Sequence, residues 1–296
     1  MKTKRDLLKN SLIGATLAAT LPLSTGVQAA DTNAKDFYSA PSGTQLGVLY
    51  LPNTQASQYD SETGTFKDAE LNVQAVAYRH IWFTDICGTL CTPQVILSGA
   101  RVKAKLPGAT QSMSDSGLGD AQIGGTLFLL NNPEQREYSG LLSLLTVPIG
   151  DYDGHAADVS AGANRWGAIF LLNYTRGVSD KWTLEGSLEA QLYGNNDDYY
   201  GQTLSQDPLY RLQAFASYDF TPSTYGALRL YHAQGGELEV GGTRIDNSRQ
   251  EYTQVGFEVG HWLDGRNQVM FTYADNVDSE NTFDSSQFML RFAHVY

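Results

Sequence analysis

Apolar and polar residues alternate with a period of two through long segments of the chain from residue 44 onward. In one segment Trp182, Leu184 and Leu188 fall on one side, while Glu185 and Glu189 fall on the other. A period of two predicts β-strands with one apolar and one polar face. About twelve such strands are predicted. Their predicted ranges are 44–51, 69–81, 93–105, 119–130, 137–147, 164–175, 181–193, 208–220, 224–234, 249–263, 267–277 and 284–296.

The lengths and connections of these strands favour a membrane barrel over a β-sandwich. Most are near ten to thirteen residues long, and a tilted strand needs about 9 to 11 residues to cross a bilayer. Short gaps such as 131–136 and 221–223 alternate with long gaps such as 148–163, which is typical of up-and-down barrels of outer membranes. We predict an all-β fold: a closed transmembrane antiparallel β-barrel over residues 44–296, in the outer membrane of a Gram-negative bacterium.

The N-terminus has the organisation of an export signal. Basic residues from Lys2 to Lys9 precede an apolar stretch over 11–23, and small residues end it at Val27-Gln28-Ala29. The apolar stretch is too short to span a bilayer as a helix, so a cleaved signal peptide over 1–29 is predicted rather than an anchor. Residues 30–43 are then a short periplasmic segment.

Composition excludes several classes of protein. The chain has a formal net charge of -12 and lacks a long basic cluster after its N-terminus, so nucleic acid is excluded as a partner. After the signal, the chain has no apolar run long enough for a membrane helix. The mean hydropathy of -0.30 agrees with a barrel, because half of each strand faces away from lipid.

The two cysteines, Cys87 and Cys91, lie close together in the sequence. In an oxidising compartment this C-x3-C spacing predicts a disulfide that stabilises a turn. A redox or metal site would need C-x-x-C spacing or a second pair of ligands. We therefore predict neither a metal site nor a cofactor.

Charged residues on the polar faces are candidates to line the barrel lumen. Both signs occur, and two arrangements are open: separate basic and acidic walls that order water and orient solutes, or pairs across the barrel that fill its interior. The candidates are Arg101, Lys103, Lys105, Glu185, Glu189, Arg211, Asp219, Arg229, Glu258 and Arg291.

The loop 148–163 is the best candidate for a constriction of the lumen. Its acidic part, Asp151 to Asp158, is similar to a calcium loop but lacks the downstream acidic residue of an EF-hand. We predict a solvated acidic loop there. Acidic external loops of this kind would bridge to lipopolysaccharide through divalent cations.

Several segments together resemble a known family. Ser116-Gly117-Leu118-Gly119-Asp120, the turn Asn131-Asn132-Pro133-Glu134 and Pro148-Ile149-Gly150-Asp151 are similar to segments of the outer-membrane barrels of the meta-pathway of phenol degradation family. The resemblance implies a porin-like or channel protein, often encoded with genes for degrading aromatic or other hydrophobic compounds. The C-terminus resembles the aromatic-ended signal that the barrel-assembly machinery recognises, with Phe288, Leu290, Phe292 and Tyr296 on one face.

The function predicted from the sequence is passive passage of small solutes, and the family resemblance implies that these are hydrophobic or aromatic. The alternative is a structural or interaction barrel with a plugged lumen, such as an adhesin, receptor or envelope stabiliser. A barrel phospholipase is disfavoured, because His232 and His261 are predicted near opposite rims and no G-x-S-x-G motif occurs. The expected partners are outer-membrane lipid, lipopolysaccharide, the barrel-assembly machinery and a small-molecule solute. The oligomeric state stays open.

Overall fold

Twelve antiparallel strands close into a barrel in the computed structural model, which describes residues 32–296. The predicted signal peptide lies outside the described residues. The first and last barrel strands pair from Leu46 with Val295 to Asp60 with Thr282, so the sheet closes on itself. The predicted fold is confirmed. The barrel strands are β1 (Gln45–Ser61), β2 (Glu70–Trp82), β3 (Thr89–Lys105), β4 (Ala121–Asn132), β5 (Glu137–Val147), β6 (Gly167–Gly177), β7 (Trp182–Tyr193), β8 (Leu209–Thr221), β9 (Thr224–Gly235), β10 (Gln250–Trp262), β11 (Asn267–Glu280) and β12 (Thr282–Val295).

Shorter elements build the connections. We call the end of the barrel that carries both ends of the strand series the periplasmic end, and the opposite end the outer end. Thr84–Ile86 pairs with the start of β3, and the 3-10 helix Pro133–Gln135 joins β4 to β5. Gly64–Phe66 pairs with the end of β1, and Met113–Leu118 pairs with the upper part of β3. A separate four-stranded sheet lies in the outer loops and consists of Asn196–Tyr199, Gln202–Gln206, Leu238–Val240 and Thr243–Arg244.

Most strand boundaries lie within a few residues of the predicted ones, and β1 is the main exception. Its prediction ends at residue 51, whereas the strand continues to Ser61. The apolar alternation stops after the outward-facing Leu51, because the next outward side chains, Asn53 and Gln55, are polar. The upper half of β1 therefore has no lipid-facing pattern, although its backbone still pairs with β12 and β2.

The outer face of the barrel is apolar and the inner face is mainly polar. On β7 the exposed residues Leu184 and Leu188 alternate with the buried Glu185 and Glu189. β8 and β9 show the same alternation of exposed apolar and buried residues, whereas soluble proteins bury the apolar face of a strand. An apolar exterior around a polar interior is the arrangement of a barrel in lipid, so the outer-membrane location predicted from the sequence is confirmed.

Within residues 32–296, no helix is long and apolar enough to cross a membrane.

The predicted disulfide is wrong. Cys87 and Cys91 are free thiols. Cys87 and Gly88 form the tip of a tight hairpin, where both residues have positive φ angles of 54° and 80°. The register of this hairpin places Cys91 opposite Thr84 rather than opposite Cys87. A two-residue turn of this type closes the hairpin by backbone geometry alone.

We expect two titratable thiols per chain in protein that is denatured without a reducing agent. Reaction with a chromogenic disulfide reagent measures this number directly. The Cys87→Ser variant should give one thiol and should fold as well as the unmodified protein, as judged by heat-modifiable migration on a gel. A thiol count near zero for the unmodified protein would show that Cys87 and Cys91 do form a disulfide.

Candidate functional site

The segment before β1 enters the barrel lumen. Residues 30–43 were expected to lie in the periplasm, yet Asn33 and Ala34 reach the inner wall. The Asn33 side chain donates to Oε1 of Glu258 at 2.9 Å, and the Ala34 backbone donates to Oε2 of the same carboxylate at 2.9 Å. The Lys35 backbone donates to Oε1 of Glu185 at 2.7 Å. Two buried carboxylates of β7 and β10 thus hold this segment.

Ion pairs and an apolar contact complete the attachment of the segment. The Lys35 ammonium pairs with Asp219 of β8. The Asp36 carboxylate pairs with Arg291 of β12 at 2.7 Å. Phe37 is buried in a cluster with residues of β1, β5, β6 and β12. We call residues 32–37 the lumen segment, because they contact several sides of the barrel interior at once.

Most of the predicted lumen charges form pairs. Arg211 binds both oxygens of Glu189, at 3.0 and 2.9 Å, and both side chains are almost fully buried. Arg229 lies 3.5 Å from Glu258, in an equally buried position. Of the two arrangements left open by the sequence, the structure has the one in which charges of opposite sign meet inside the barrel.

Tyrosine rings lie beside these arginines. The guanidinium carbons of Arg211 and Arg229 lie 5.6 and 4.3 Å from the centre of the Tyr231 ring, and that of Arg291 lies 5.8 Å from Tyr50. Cation–π contacts of this kind strengthen where water is excluded. The middle of the lumen is therefore a packed polar layer rather than an open charged wall.

Three predicted lumen residues lie elsewhere. Arg101 and Lys103 are exposed and alternate with the buried Val102 and Ala104, and Lys105 follows in the same outward register. The prediction that they line the lumen is therefore corrected. The prediction was wrong because the polar face of a strand is the inner face only where lipid covers the outside of the barrel. Above the lipid, the outer face is polar as well.

Two cavities lie along the lumen. The larger, of about 780 Å³, opens toward the periplasmic end, and the smaller, of about 310 Å³, lies toward the outer end. The lumen segment lines the larger cavity, together with apolar side chains of the wall. These apolar residues include Leu46, Val48, Phe83, Phe128 and Leu142.

The outer cavity combines apolar and polar walls. Tyr59, Leu71 and Val73 line one part of it, and Arg165 and Tyr193 line another. The Arg165 guanidinium lies over the Tyr193 ring at 4.6 Å and donates to Gln206 at 2.6 Å. Burial lowers the pKa of Arg165 from its usual value. The positive charge of Arg165 therefore lies against an aromatic ring in this cavity.

The loop between β5 and β6 folds into the outer mouth of the barrel. Val159 and Ala161 are buried against Leu71, Val102 and Ala104 of β2 and β3. Residues 160–163 also line the outer cavity. The loop 148–163, predicted as a constriction, thus narrows the outer mouth, and the lumen segment narrows the lumen below it.

The loop is not a uniformly solvated acidic loop, which corrects that prediction. Asp158 is 1% exposed and accepts hydrogen bonds from the hydroxyls of Tyr199, at 2.6 Å, and Tyr200, at 3.1 Å. Burial raises the pKa of Asp158 from 3.8 to about 6, and the two tyrosine hydrogen bonds offset part of that rise.

In the described part of the chain, no group of three or more His, Cys, Asp or Glu side chains is arranged to hold a metal ion.

Some lumen residues were missed from the sequence. The lumen segment has no alternation, and its apolar residues are Ala34 and Phe37 alone. Arg79 of β2 is buried and donates to Gln94 of β3 at 2.5 Å. Its position on the inner face of β2 follows from the alternation of that strand, so the sequence contained a usable signal for Arg79 but not for the lumen segment.

The two histidines considered for a phospholipase lie far apart. His232 is on β9 next to Thr253, and His261 is on β10 next to Thr224. Eight residues of strand separate the two levels, which is about 26 Å along the strand. These histidines do not form a shared site.

The geometry defines a twelve-stranded outer-membrane barrel whose lumen is narrowed by its own N-terminal segment and an outer loop. A family model described as "Putative MetA-pathway of phenol degradation" matches residues 54–292. The chain belongs to this family.

Solved structures share the fold. The COG4313 outer membrane channel from Pseudomonas putida F1 is 24% identical, with a TM-score of 0.84 over 90% of this chain and 100% of that chain. The β domain of the Bordetella autotransporter BrkA is 13% identical, with a TM-score of 0.53 over 86% and 100% of the two chains. The transport unit of the autotransporter AIDA-I from Escherichia coli is 7% identical, with a TM-score of 0.55 over 90% and 93%. No curated protein sequence matches the chain significantly.

We expect the Glu258→Gln substitution to loosen the lumen segment, because it weakens two hydrogen bonds and removes the charge that faces Arg229. The probe is a thiol at the buried Ala34, introduced as Ala34→Cys in a Cys87→Ser/Cys91→Ser background. Its reaction with a maleimide should become about tenfold faster, equivalent to about 1.4 kcal/mol. Glu237→Gln, in an outer loop, is the control and should leave the rate unchanged. Equal rates in both variants would show that Glu258 does not hold the segment.

We expect the outer loop to loosen as the pH rises. The pKa of Asp158 in the packed loop, about 6, exceeds its usual 3.8. The contribution of Asp158 is therefore fully favourable below about pH 4 and is lost as the pH rises through about 6. Hydrogen exchange of residues 148–166, corrected for intrinsic rates, should increase between pH 5 and 7.5. Asp158→Asn should abolish that increase, whereas Asp153→Asn, an exposed carboxylate of the same loop, should retain it. A pH response that survives Asp158→Asn would assign it to another group.

Proposed function

We propose that this protein is an outer-membrane channel for the passive passage of small hydrophobic or aromatic solutes. The observation that carries the proposal is a lumen whose central charges are paired, with partly apolar cavities on both sides of that layer. The family description, which refers to phenol degradation, supports the same solute class. The P. putida relative is itself described as an outer membrane channel.

The paired charges favour apolar over ionic solutes. An ion that crosses the polar layer must compete with pairs such as Arg211 with Glu189, which are already satisfied within hydrogen-bond distance. A small aromatic solute instead gains about 25 cal/mol for each Å² of apolar surface that it removes from water in a cavity. Both cavities are large enough for a single-ring compound. Weak burial of this kind allows the solute to enter and also to leave.

Passage requires a change at the lumen segment. Its hydrogen bonds to Glu185 and Glu258 and its ion pairs to Asp219 and Arg291 tie it to the wall between the two cavities. Glu185 and Glu258 are 5% and 0% exposed, so release of the segment requires water or neighbouring side chains to replace these hydrogen bonds. We infer that partial release of this segment connects the two cavities, with no energy source beyond the solute gradient.

A second candidate is a structural or interaction barrel with a plugged lumen. The polar contacts of the lumen segment with four strands, β7, β8, β10 and β12, favour this candidate, because a permanent plug needs several independent contacts. In this case the outer loops, including the sheet 196–206 with 238–244, would be the working surface. Outer-membrane lipid and the barrel-assembly machinery are partners in both proposals, the latter through Phe288, Leu290, Phe292 and Tyr296, whose side chains face outward.

Solute entry through the unmodified protein separates the two candidates, and deletion of residues 32–37 tests whether the lumen segment is the obstruction. We expect the deletion to increase single-channel conductance in planar bilayers several-fold, because it removes the material that divides the lumen. The unmodified protein should accelerate phenol entry into proteoliposomes while leaving a neutral sugar of similar size almost excluded. His155→Ala, in an exposed loop position, is the control. Failure of the unmodified protein to accelerate phenol entry would favour the structural barrel.

A further inference from the structure

A basic row lies on the outside of the barrel at its outer end. Arg101, Lys103 and Lys105 occupy alternate positions of β3, and all three follow the outward register of the lipid-facing Leu97. The chain as a whole has 20 basic and 32 acidic residues. A concentration of three cations on one outward strand face is therefore unusual in this molecule and needs a physical reason.

The row begins where the apolar band ends. On three neighbouring strands the last apolar outward residues are Leu51, Val76 and Leu97, which are 38%, 45% and 54% exposed. The strand register places Asn53 beside Gln74, and Gln74 beside Arg101, in the next polar row. The transition from apolar to polar is thus shared by the three strands, and only β3 carries cations above it.

The height of the row matches the head groups of the outer leaflet. Arg101 is four residues beyond Leu97 in β3. At about 3.3 Å per residue and a tilt of about 40°, it lies about 10 Å higher along the membrane normal. A head-group region is about 5 to 8 Å thick on each side of the hydrocarbon. Val76, the last apolar outward residue of β2, pairs with Gly99, so Arg101 lies about 5 Å above the last apolar row, at head-group level. Lys103 lies about 10 Å above that row, just beyond the head groups and within reach of them through its long side chain.

Neighbouring side chains leave the charge of Arg101 and Lys103 uncompensated. Gln74 and Ser116 lie beside Arg101, and Asn72 and Ser114 lie beside Lys103, all of them neutral. Among residues 32–296, no carboxylate lies within 4.0 Å of either cation. Lys105 differs, because Glu70 is its cross-strand neighbour.

We propose that Arg101 and Lys103, with Lys105 at the edge, form a binding site for the phosphate groups of lipopolysaccharide in the outer leaflet. Arginine binds phosphate oxygens in pairs, and lysine adds a point charge. The hydroxyls and amides of Ser114, Ser116, Asn72 and Gln74 supply neutral donors around the anion. The apolar strip below, through Leu97, continues the contact along the acyl chains. The site is independent of whether the lumen conducts solutes.

The test compares lipopolysaccharide that carries its phosphates with enzymatically dephosphorylated lipopolysaccharide. Purified full-length protein in lipopolysaccharide-free detergent is titrated in EDTA, which removes divalent cations, and bound lipid is counted by native mass spectrometry. A surface cation near an anionic membrane contributes roughly a factor of five in affinity. Arg101→Gln/Lys103→Gln should therefore weaken binding about thirtyfold. Dephosphorylation should weaken binding to the unmodified protein by a similar factor and have little effect on the variant.

The matched control removes two exposed cations from the periplasmic rim, as Lys181→Gln/Arg266→Gln, and should bind lipopolysaccharide as the unmodified protein does. Arg101→Lys/Lys103→Arg keeps both charges and should retain most of the affinity. Heat-modifiable gel migration verifies that every variant is folded. Equal binding of phosphorylated and dephosphorylated lipid to the unmodified protein would overturn the proposal, even if the double variant did not fold. Binding that needs Mg²⁺ and ignores the Arg101→Gln/Lys103→Gln change would also overturn it, in favour of cation bridges to the acidic loops.

Discussion

The rest of this structure depends on one constraint: backbone N–H and C=O groups find no hydrogen-bond partner in hydrocarbon and must therefore pair with one another. Every strand must pair on both sides, so β1 meets β12 and the sheet becomes a closed wall. Closure gives the wall a lipid side and an enclosed side, and the enclosed side receives the polar half of each strand. Carboxylates such as Glu189 and Glu258 are then buried in a narrow lumen, where they are stable because Arg211 and Arg229 lie beside them.

The strand series was predictable from the sequence because lipid imposes a strict pattern. Wherever lipid covers the wall, outward positions such as Leu184 and Leu188 must be apolar, and alternation reveals both the strand and its register. Above the lipid the outward positions need not be apolar, so the upper half of β1 has no alternation from which a strand is predicted. The position of the lumen segment was not predictable from the sequence, for a different reason. The segment has no regular structure of its own, and its position depends on contacts with distant residues, such as Glu185, 150 positions from Lys35, and Arg291, 255 positions from Asp36.

The candidate site was predictable in part. Alternation assigned Glu185, Glu189, Arg211 and Glu258 to the polar face, and these residues are buried inside the barrel. It could not say which charges would meet, since pairing depends on the stagger between strands. For Arg101 and Lys103 the same rule gave the wrong side, because a polar residue marks the inner face only below the head groups. Cys87 and Cys91 show the limit of spacing arguments: the positive φ angles of Cys87 and Gly88 make a tight turn whose register separates the two thiols.

The attachment of the lumen segment has a mechanical consequence. Asp36 binds Arg291, which belongs to β12 at the seam where the barrel closes, while Ala34 and Lys35 bind carboxylates of β10 and β7. The segment therefore links the closing strand β12 to β10, two strands away, and to β7, five strands away. The release proposed for conduction would break the Asp36–Arg291 pair at the seam together with the hydrogen bonds to β7 and β10. A substitution that loosens the segment is therefore expected to act on the closing strand as well as on the lumen.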